Sequence, residues 1–68
     1  MKKLIAYRNS RKLSLRQMAI ELGISYVSLW EYENGKKRPG RETAIDLAKK
    51  TGLSRDYLIF GDDDQAAA

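Results

Sequence analysis

Apolar residues along the chain recur at helical spacing, in short stretches that glycine interrupts. The clearest stretch holds Leu15, Met18, Ala19 and Leu22 at positions i, i+3, i+4 and i+7, which is the spacing of one buried helix face. No stretch shows the sustained alternation of apolar and polar residues that is typical of a strand. The pattern therefore predicts an all-α protein.

Serine and glycine mark where the helices begin and end. Serine is a favoured N-cap, because its hydroxyl accepts a hydrogen bond from a free backbone N–H of the first turn. Glycine after a helix adopts positive φ without steric cost. These marks predict a compact five-helix bundle, with helices from Lys2 to Arg11, between Ser14 and Gly23, between Ser25 and Asn34, from Arg41 to Thr51, and between Ser54 and Gly61.

A chain of 68 residues has room for one hydrophobic core. We predict a single domain over residues 1–61. The remaining run, Asp-Asp-Asp-Gln-Ala-Ala-Ala, is too polar and too simple in composition to pack, so we predict a disordered tail over residues 62–68.

The composition excludes several classes of protein. The chain has no cysteine and no histidine, so it lacks disulfides, thiolate metal ligands and the commonest general base. We therefore predict that it is not an enzyme, and we expect no metal, no cofactor and no small-molecule ligand. No apolar run approaches the length of a membrane span. The expected location is cytoplasmic, at the nucleoid, with no membrane partner.

Positive charge is concentrated in the first part of the chain. The formal net charge is +4. Residues 1–41 carry ten basic side chains against three acidic ones, whereas residues 42–68 carry three against six. Such a basic region is the pattern expected of a surface that binds phosphates. Charge alone leaves open the alternative that these residues only solvate helix faces.

The stretch from Ser14 to Gly35 predicts two short helices joined by a tight turn at Gly23. Ala19 falls where the two helices would cross, and its small side chain permits their close approach. Ile24 and Leu29 would close the core beneath them. This is the arrangement of a helix-turn-helix, whose second helix enters the DNA major groove.

The chain resembles the Cro/C1-type helix-turn-helix family, the lambdoid phage repressors and Cro proteins with their bacterial relatives. The resemblance covers about residues 3–61 and implies a lambda-repressor-like DNA-binding domain. Four segments carry it, in the family's order and spacing: Ala19 with Gly23-Ile24-Ser25, Glu33-Asn34-Gly35-Lys36, Arg38-Pro39, and Gly52-Leu53-Ser54-Arg55-Asp56-Tyr57-Leu58.

The resemblance also implies roles for individual residues. Tyr26, Val27 and Glu31 would face the base edges, with Glu31 one turn beyond Val27 on the same side of the helix. Arg8 and Glu33 match a pair that forms a buried salt bridge in some relatives. Contacts to the DNA backbone are expected from Arg16, Gln17, Ser28, Asn34, Lys36, Lys37 and Arg38.

The sequence departs from the family at three positions. Leu15 stands where relatives commonly have a glutamine that anchors a phosphate, so Arg16 or Gln17 is expected to replace that anchor. Glu31 is an unusual residue beside a polyanion. Trp30 replaces a polar residue, and its role is left open.

These observations favour a sequence-specific DNA-binding transcriptional regulator, and they favour repression over activation of transcription. Because one such domain offers a small interface, useful specificity needs a homodimer on a two-fold-symmetric operator. The dimer surface is expected on the fifth helix, at Tyr57, Ile59 and Phe60, because that helix has more apolar area than one core face requires. An alternative is an antitoxin-like or adaptor module that binds another protein through the same fold.

Overall fold

The computed structural model describes residues 1–62, which form five helices and, within that range, no strand. The helices are α1 (Lys2–Ser10), α2 (Leu15–Leu22), α3 (Tyr26–Glu33), α4 (Arg41–Thr51) and α5 (Arg55–Phe60). The prediction of an all-α, five-helix bundle is confirmed. The first helix ends one residue earlier than expected. Residues 63–68 of the predicted tail lie outside the described residues.

The core is mainly aliphatic, includes the rings of Tyr32 and Tyr57, and draws on every helix. Met18, Ala19 and Leu22 of α2 are buried, as the helical stripe predicts, whereas Leu15 is only half-buried. Deep burial of these side chains supplies the main driving force for folding. The largest side chains with almost no exposure are Leu4, Met18, Leu22, Leu29, Leu47 and Leu58.

The predicted serine caps are present at three helix N-termini. The hydroxyl oxygens of Ser14, Ser25 and Ser54 each accept a hydrogen bond, 3.0 Å long, from the backbone N–H three residues further on. Each cap satisfies a donor that has no partner inside its helix, which fixes the residue at which that helix begins.

The turn between α2 and α3 has Gly23 at φ 71°, the left-handed conformation. The N–H of Ile24 donates to the carbonyl of Ala19 at 3.0 Å, and that of Gly23 donates to Ile20 at 3.1 Å. This pair of bonds is the Schellman motif, which ends a helix and reverses the chain. The turn therefore sets α3 against α2, and the buried Ala19 lets the two helices approach closely.

Asp62 lies next to the start of the chain. Its carboxylate accepts hydrogen bonds from the Tyr57 hydroxyl at 2.8 Å and from the Lys2 backbone N–H at 3.1 Å. Burial acts to raise the pKa of Asp62, but these hydrogen bonds and the nearby positive charges together lower it below its ordinary value. Asp62, the one residue of the predicted tail that the structure describes, thus contacts both Tyr57 and the first turn of α1.

In the described part of the chain, no helix is both long enough and apolar enough to cross a membrane.

Candidate nucleic-acid interface

Helix α3 buries one face and presents the other to solvent. Leu29 and Tyr32 lie in the core, at 0% and 6% exposure. Val27, on the opposite side, is 62% exposed, and Tyr26 and Trp30 at the flanks are 46% and 42% exposed. Large apolar side chains left in water on one helix face are typical of a surface that binds a partner.

Val27 and Glu31 lie one turn apart on this exposed face, as expected from their spacing. Glu31 is half-buried, and its side chain makes no hydrogen bond or ion pair with any described residue. Its backbone carbonyl accepts from the N–H of Lys36 at 2.9 Å, which closes the end of the helix. The Glu31 carboxylate is thus available to a ligand.

Arg16 links the start of α2 to the start of α3. Its guanidinium carbon lies 5.7 Å from the centroid of the Tyr26 ring, within cation–π range. Because this contact holds the Arg16 charge beside the exposed face of α3, Arg16 is placed suitably for the anchoring role expected in place of Leu15.

Two residues predicted to contact the DNA backbone already make hydrogen bonds with capping serines. Gln17 Oε1 accepts from the Ser14 N–H at 2.9 Å, which completes a capping box and leaves only the amide NH₂ of Gln17 as a donor. The hydroxyl of Ser28 accepts from the Ser25 hydroxyl at 2.9 Å. A phosphate contact of Gln17 or Ser28 would therefore either replace these hydrogen bonds or form beside them.

The segment after α3 carries the other expected backbone contacts. Asn34 Nδ2 donates to the Trp30 carbonyl at 2.9 Å, so this side chain helps to end α3. Lys36 and Lys37 are exposed. Arg38 is also exposed, and its guanidinium lies beside Gly61, the residue that follows α5. The structure thus places two cations, Lys36 and Lys37, immediately after the exposed helix.

Arg8 and Glu33 form an ion pair that joins α1 to α3. Arg8 donates to the Glu33 carboxylate through Nε at 2.8 Å and Nη2 at 3.1 Å, a bidentate contact. The Glu33 side chain is 4% exposed and that of Arg8 19%. The hydrogen bond to Glu33 raises the pKa of Arg8 above its ordinary value, although burial acts in the opposite direction.

The same guanidinium also reaches the chain between α1 and α2. Its Nη1 donates to the carbonyl of Leu13 at 3.1 Å. Arg8 therefore fixes three elements together, and the pair with Glu33 positions α3 and does not face a ligand.

One supporting residue escaped the sequence reasoning. Lys50 of α4 donates from Nζ to the carbonyl of Leu22 at 3.0 Å and pairs with Asp46 at 3.0 Å. Leu22 is the last residue of α2, so this bond ties the turn of the helix-turn-helix to α4. The sequence offers only a lysine near a helix C-terminus as a signal, which is too common to single it out.

The residues expected at a dimer surface do not share one environment. Tyr57 is 2% exposed and lies in the core of its own chain. Its hydroxyl accepts from the Lys3 N–H at 2.9 Å and donates to Asp62. Burial and the hydrogen bond to Asp62 raise the pKa of Tyr57. Ile59 is half-buried, and Phe60 is 51% exposed. The exposed apolar area of α5 is therefore mainly that of Phe60.

The geometry of α2, the turn and α3 defines a helix-turn-helix protein. Comparison with known proteins agrees: the family model described as helix-turn-helix matches residues 4–58. The chain belongs to this family, the Cro/C1-type helix-turn-helix family, which consists of DNA-binding regulators and not of enzymes.

A curated relative adds to this assignment. The chain is 33% identical, over 58 residues, to the uncharacterized HTH-type transcriptional regulator YqaE of Bacillus subtilis (strain 168). That alignment covers 85% of this chain but 50% of the relative, so the chain spans about half the length of the curated protein it matches. The search of solved structures gave no significant match.

Proposed function

We propose that this domain is a sequence-specific DNA-binding transcription regulator. It binds a two-fold-symmetric operator as a dimer and acts as a repressor. The observation that carries the proposal is the outer face of α3, where Tyr26 and Val27 are exposed and Glu31 is half-buried. Leu29 and Tyr32 hold the helix in the core from its other side. A helix held in this way by a helix-turn-helix can enter the major groove.

Cations border this face on two sides. Arg16 lies against Tyr26 at the start of α3, and Lys36 and Lys37 follow its end. Phosphate contacts from such residues would fix the orientation of α3 on DNA without specifying sequence. Asn34 and Ser28 would add neutral donors, and the Gln17 amide would do the same from α2. Action on chromosomal DNA would place the protein in the cytoplasm, at the nucleoid.

The dimer is supported by the single large apolar side chain exposed on α5. Phe60 is 51% exposed, with Ile59 half-buried beside it. Burial of an aromatic ring against a second copy would remove this area from water. Two recognition helices about one helical turn of DNA apart would then read the two half-sites, and a bound dimer would exclude RNA polymerase from an overlapping promoter.

The test begins with a selection of bound duplexes from a random DNA pool. We expect a two-fold-symmetric consensus, a stoichiometry of two chains per duplex, and an affinity that falls steeply with salt. Lys36→Ala should weaken all sequences by a similar factor and reduce the salt slope by about one. Val27→Ala should change which sequences are preferred, because base contacts and not phosphate contacts specify sequence.

The oligomeric state is tested separately. Phe60→Ser should shift the chain toward monomer in sedimentation equilibrium and weaken operator binding, while Ile20→Ala, which removes an exposed aliphatic group from α2, should do neither. If no sequence is enriched at low salt and the chain instead binds a co-purified protein tightly, the adaptor alternative replaces this proposal.

A further inference from the structure

Val27 is an unusual residue to leave in water on this surface. It is aliphatic, 62% exposed, and lies on the face of α3 opposite the core. On the base edges of the major groove, the prominent apolar group is the C5-methyl of thymine. The same methyl position is occupied in 5-methylcytosine. A pyrimidine C5-methyl group is therefore the partner on DNA that Val27 fits best.

Glu31 imposes a complementary restriction. An ionised carboxylate only accepts hydrogen bonds, so it requires a donor, and phosphates repel it. The donors on the base edges are the amino groups of cytosine and adenine. Adenine presents the acceptor N7 beside its amino group, which would repel the second carboxylate oxygen, whereas cytosine presents no such acceptor. Glu31 therefore favours cytosine.

The spacing of these two residues brings their targets together. Four residues of α-helix span about 6 Å, and successive base pairs are about 3.4 Å apart. Two side chains on one stripe can thus reach bases within about two base pairs of each other. The Val27 side chain can contact a methyl group, and the Glu31 carboxylate can accept from an amino group. No described residue forms a hydrogen bond or ion pair with the Glu31 side chain.

We propose that Val27 and Glu31, on one face of α3, recognise two neighbouring pyrimidine bases. Val27 packs on the C5-methyl group of one base, and the Glu31 carboxylate accepts a hydrogen bond from the amino group of a neighbouring cytosine. This inference rests on the proposed DNA-binding function and assigns the specificity of the same surface.

The methyl contact is tested on the duplex enriched from the random pool. Deoxyuridine replaces each thymine of the half-site in turn, and affinity is measured by fluorescence anisotropy. At one position we expect about four-fold weaker binding, the effect of about 0.8 kcal/mol for one buried methyl group. Val27→Ala should abolish that difference, and Ile20→Ala, which also truncates an exposed aliphatic side chain but lies outside α3, should preserve it. Circular dichroism checks that each variant is folded.

A second arm tests the methyl contact on the other base that carries a C5-methyl group, 5-methylcytosine. At the same position, a cytosine–guanine pair is compared with and without the C5-methyl group. The proposal expects the methylated form to bind about four-fold more tightly to the wild-type chain and equally well to Val27→Ala. Equal affinities of the wild-type chain for the two forms would overturn the methyl contact.

The amino contact is tested through a change of preference and not of affinity alone. Glu31→Gln removes a negative charge and supplies an amide, which pairs with adenine. We expect the preferred base at one position to change from cytosine to adenine, with a shift in their affinity ratio of about ten-fold or more. Glu21→Gln removes the same charge from α2 and should leave the preference unchanged.

The outcomes separate this inference from the proposed function. If the pool yields no enriched sequence, the DNA-binding function itself fails. If a sequence is enriched but neither deoxyuridine nor Glu31→Gln changes the preference at any position, DNA binding stands and the pyrimidine assignment is overturned.

Discussion

The connection between α1 and α2 and the connection between α2 and α3 have the same design and differ in the residue that takes the left-handed conformation. Each has a residue in the left-handed conformation, then a half-buried aliphatic residue, then a capping serine: Lys12-Leu13-Ser14 in the first and Gly23-Ile24-Ser25 in the second. Both end their preceding helix with a Schellman pair of hydrogen bonds. The first connection places a lysine at φ 55°, where the second places glycine at φ 71°.

Each connection is also held by a cationic side chain of a helix, Arg8 of α1 in the first and Lys50 of α4 in the second. Arg8 donates to the Leu13 carbonyl and is neutralised by the buried Glu33, whereas Lys50 donates to the Leu22 carbonyl and pairs with the exposed Asp46. Short-range residues thus set the form of each turn, while contacts with the distant Glu33 and Lys50 tie it to the rest of the fold.

The largest expected effect is that of breaking the buried support of the first connection. The Arg8 guanidinium lies between α1, α3 and the connection between α1 and α2, and Glu33→Gln would remove its only buried counter-charge among the described residues. We expect a loss of about 3 kcal/mol in the free energy of unfolding, at the low end for a buried pair because Arg8 retains 19% exposure. Urea unfolding measures this loss.

Glu21→Gln is the matched control for this variant. Glu21 pairs with Arg11 at the same 2.8 Å, but both side chains are 44% exposed. Water screens such a pair, so its removal should change the stability little. Equal losses in the two variants would show that burial does not distinguish the two ion pairs.

The next effect concerns the left-handed glycine of the second connection. Gly23→Ala would place a Cβ at φ 71°, and we expect a loss of about 1–2 kcal/mol from backbone strain. Crowding adds little, because the nearest atom to that Cβ would be Lys50 Nζ at 3.5 Å. Gly52→Ala at φ 80°, where no atom lies within 4 Å, should cost a similar amount. A neutral Gly23→Ala would contradict the strain argument.

Much of this architecture can be predicted from the sequence, because it depends on neighbours. The serine caps, the left-handed Gly23 and the buried stripe of Met18 and Leu22 each follow from residues within one or two turns. The exposed Val27 follows in the same way, once the inner face of α3 is assigned from Leu29.

The remainder depends on contacts between distant parts of the chain. The bond from Lys50 to Leu22 joins residues 28 apart, and no local pattern marks it. Tyr57 was expected on a surface, but the six residues of α5 are too few for periodicity to separate its inner and outer faces. Arg8 and Glu33, 25 residues apart, were expected only through the family resemblance.

A smaller effect separates stability from recognition at the capping serines. Ser25→Ala removes the cap of α3, and we expect a loss of about 1 kcal/mol in stability. Since α3 carries the proposed base contacts, DNA affinity should also fall. Ser54→Ala removes a cap of the same 3.0 Å length from α5 and should cost similar stability. It should leave binding to a duplex with a single half-site unchanged, because that binding does not involve the proposed dimer surface on α5. A similar loss of affinity in both variants would indicate a general effect of stability.

The smallest expected effect is a gain, and it tests the comparison from the opposite direction. Lys12→Gly would make the first connection resemble the second by relieving the left-handed strain at φ 55°. The relief exceeds the added freedom of the unfolded chain, so we expect thermal unfolding to report a gain of about 0.5–1 kcal/mol. Lys12→Ala keeps a Cβ and should not reproduce it. If both variants gain equally, then loss of the lysine charge from this basic region, and not backbone conformation, is what distinguishes the two connections.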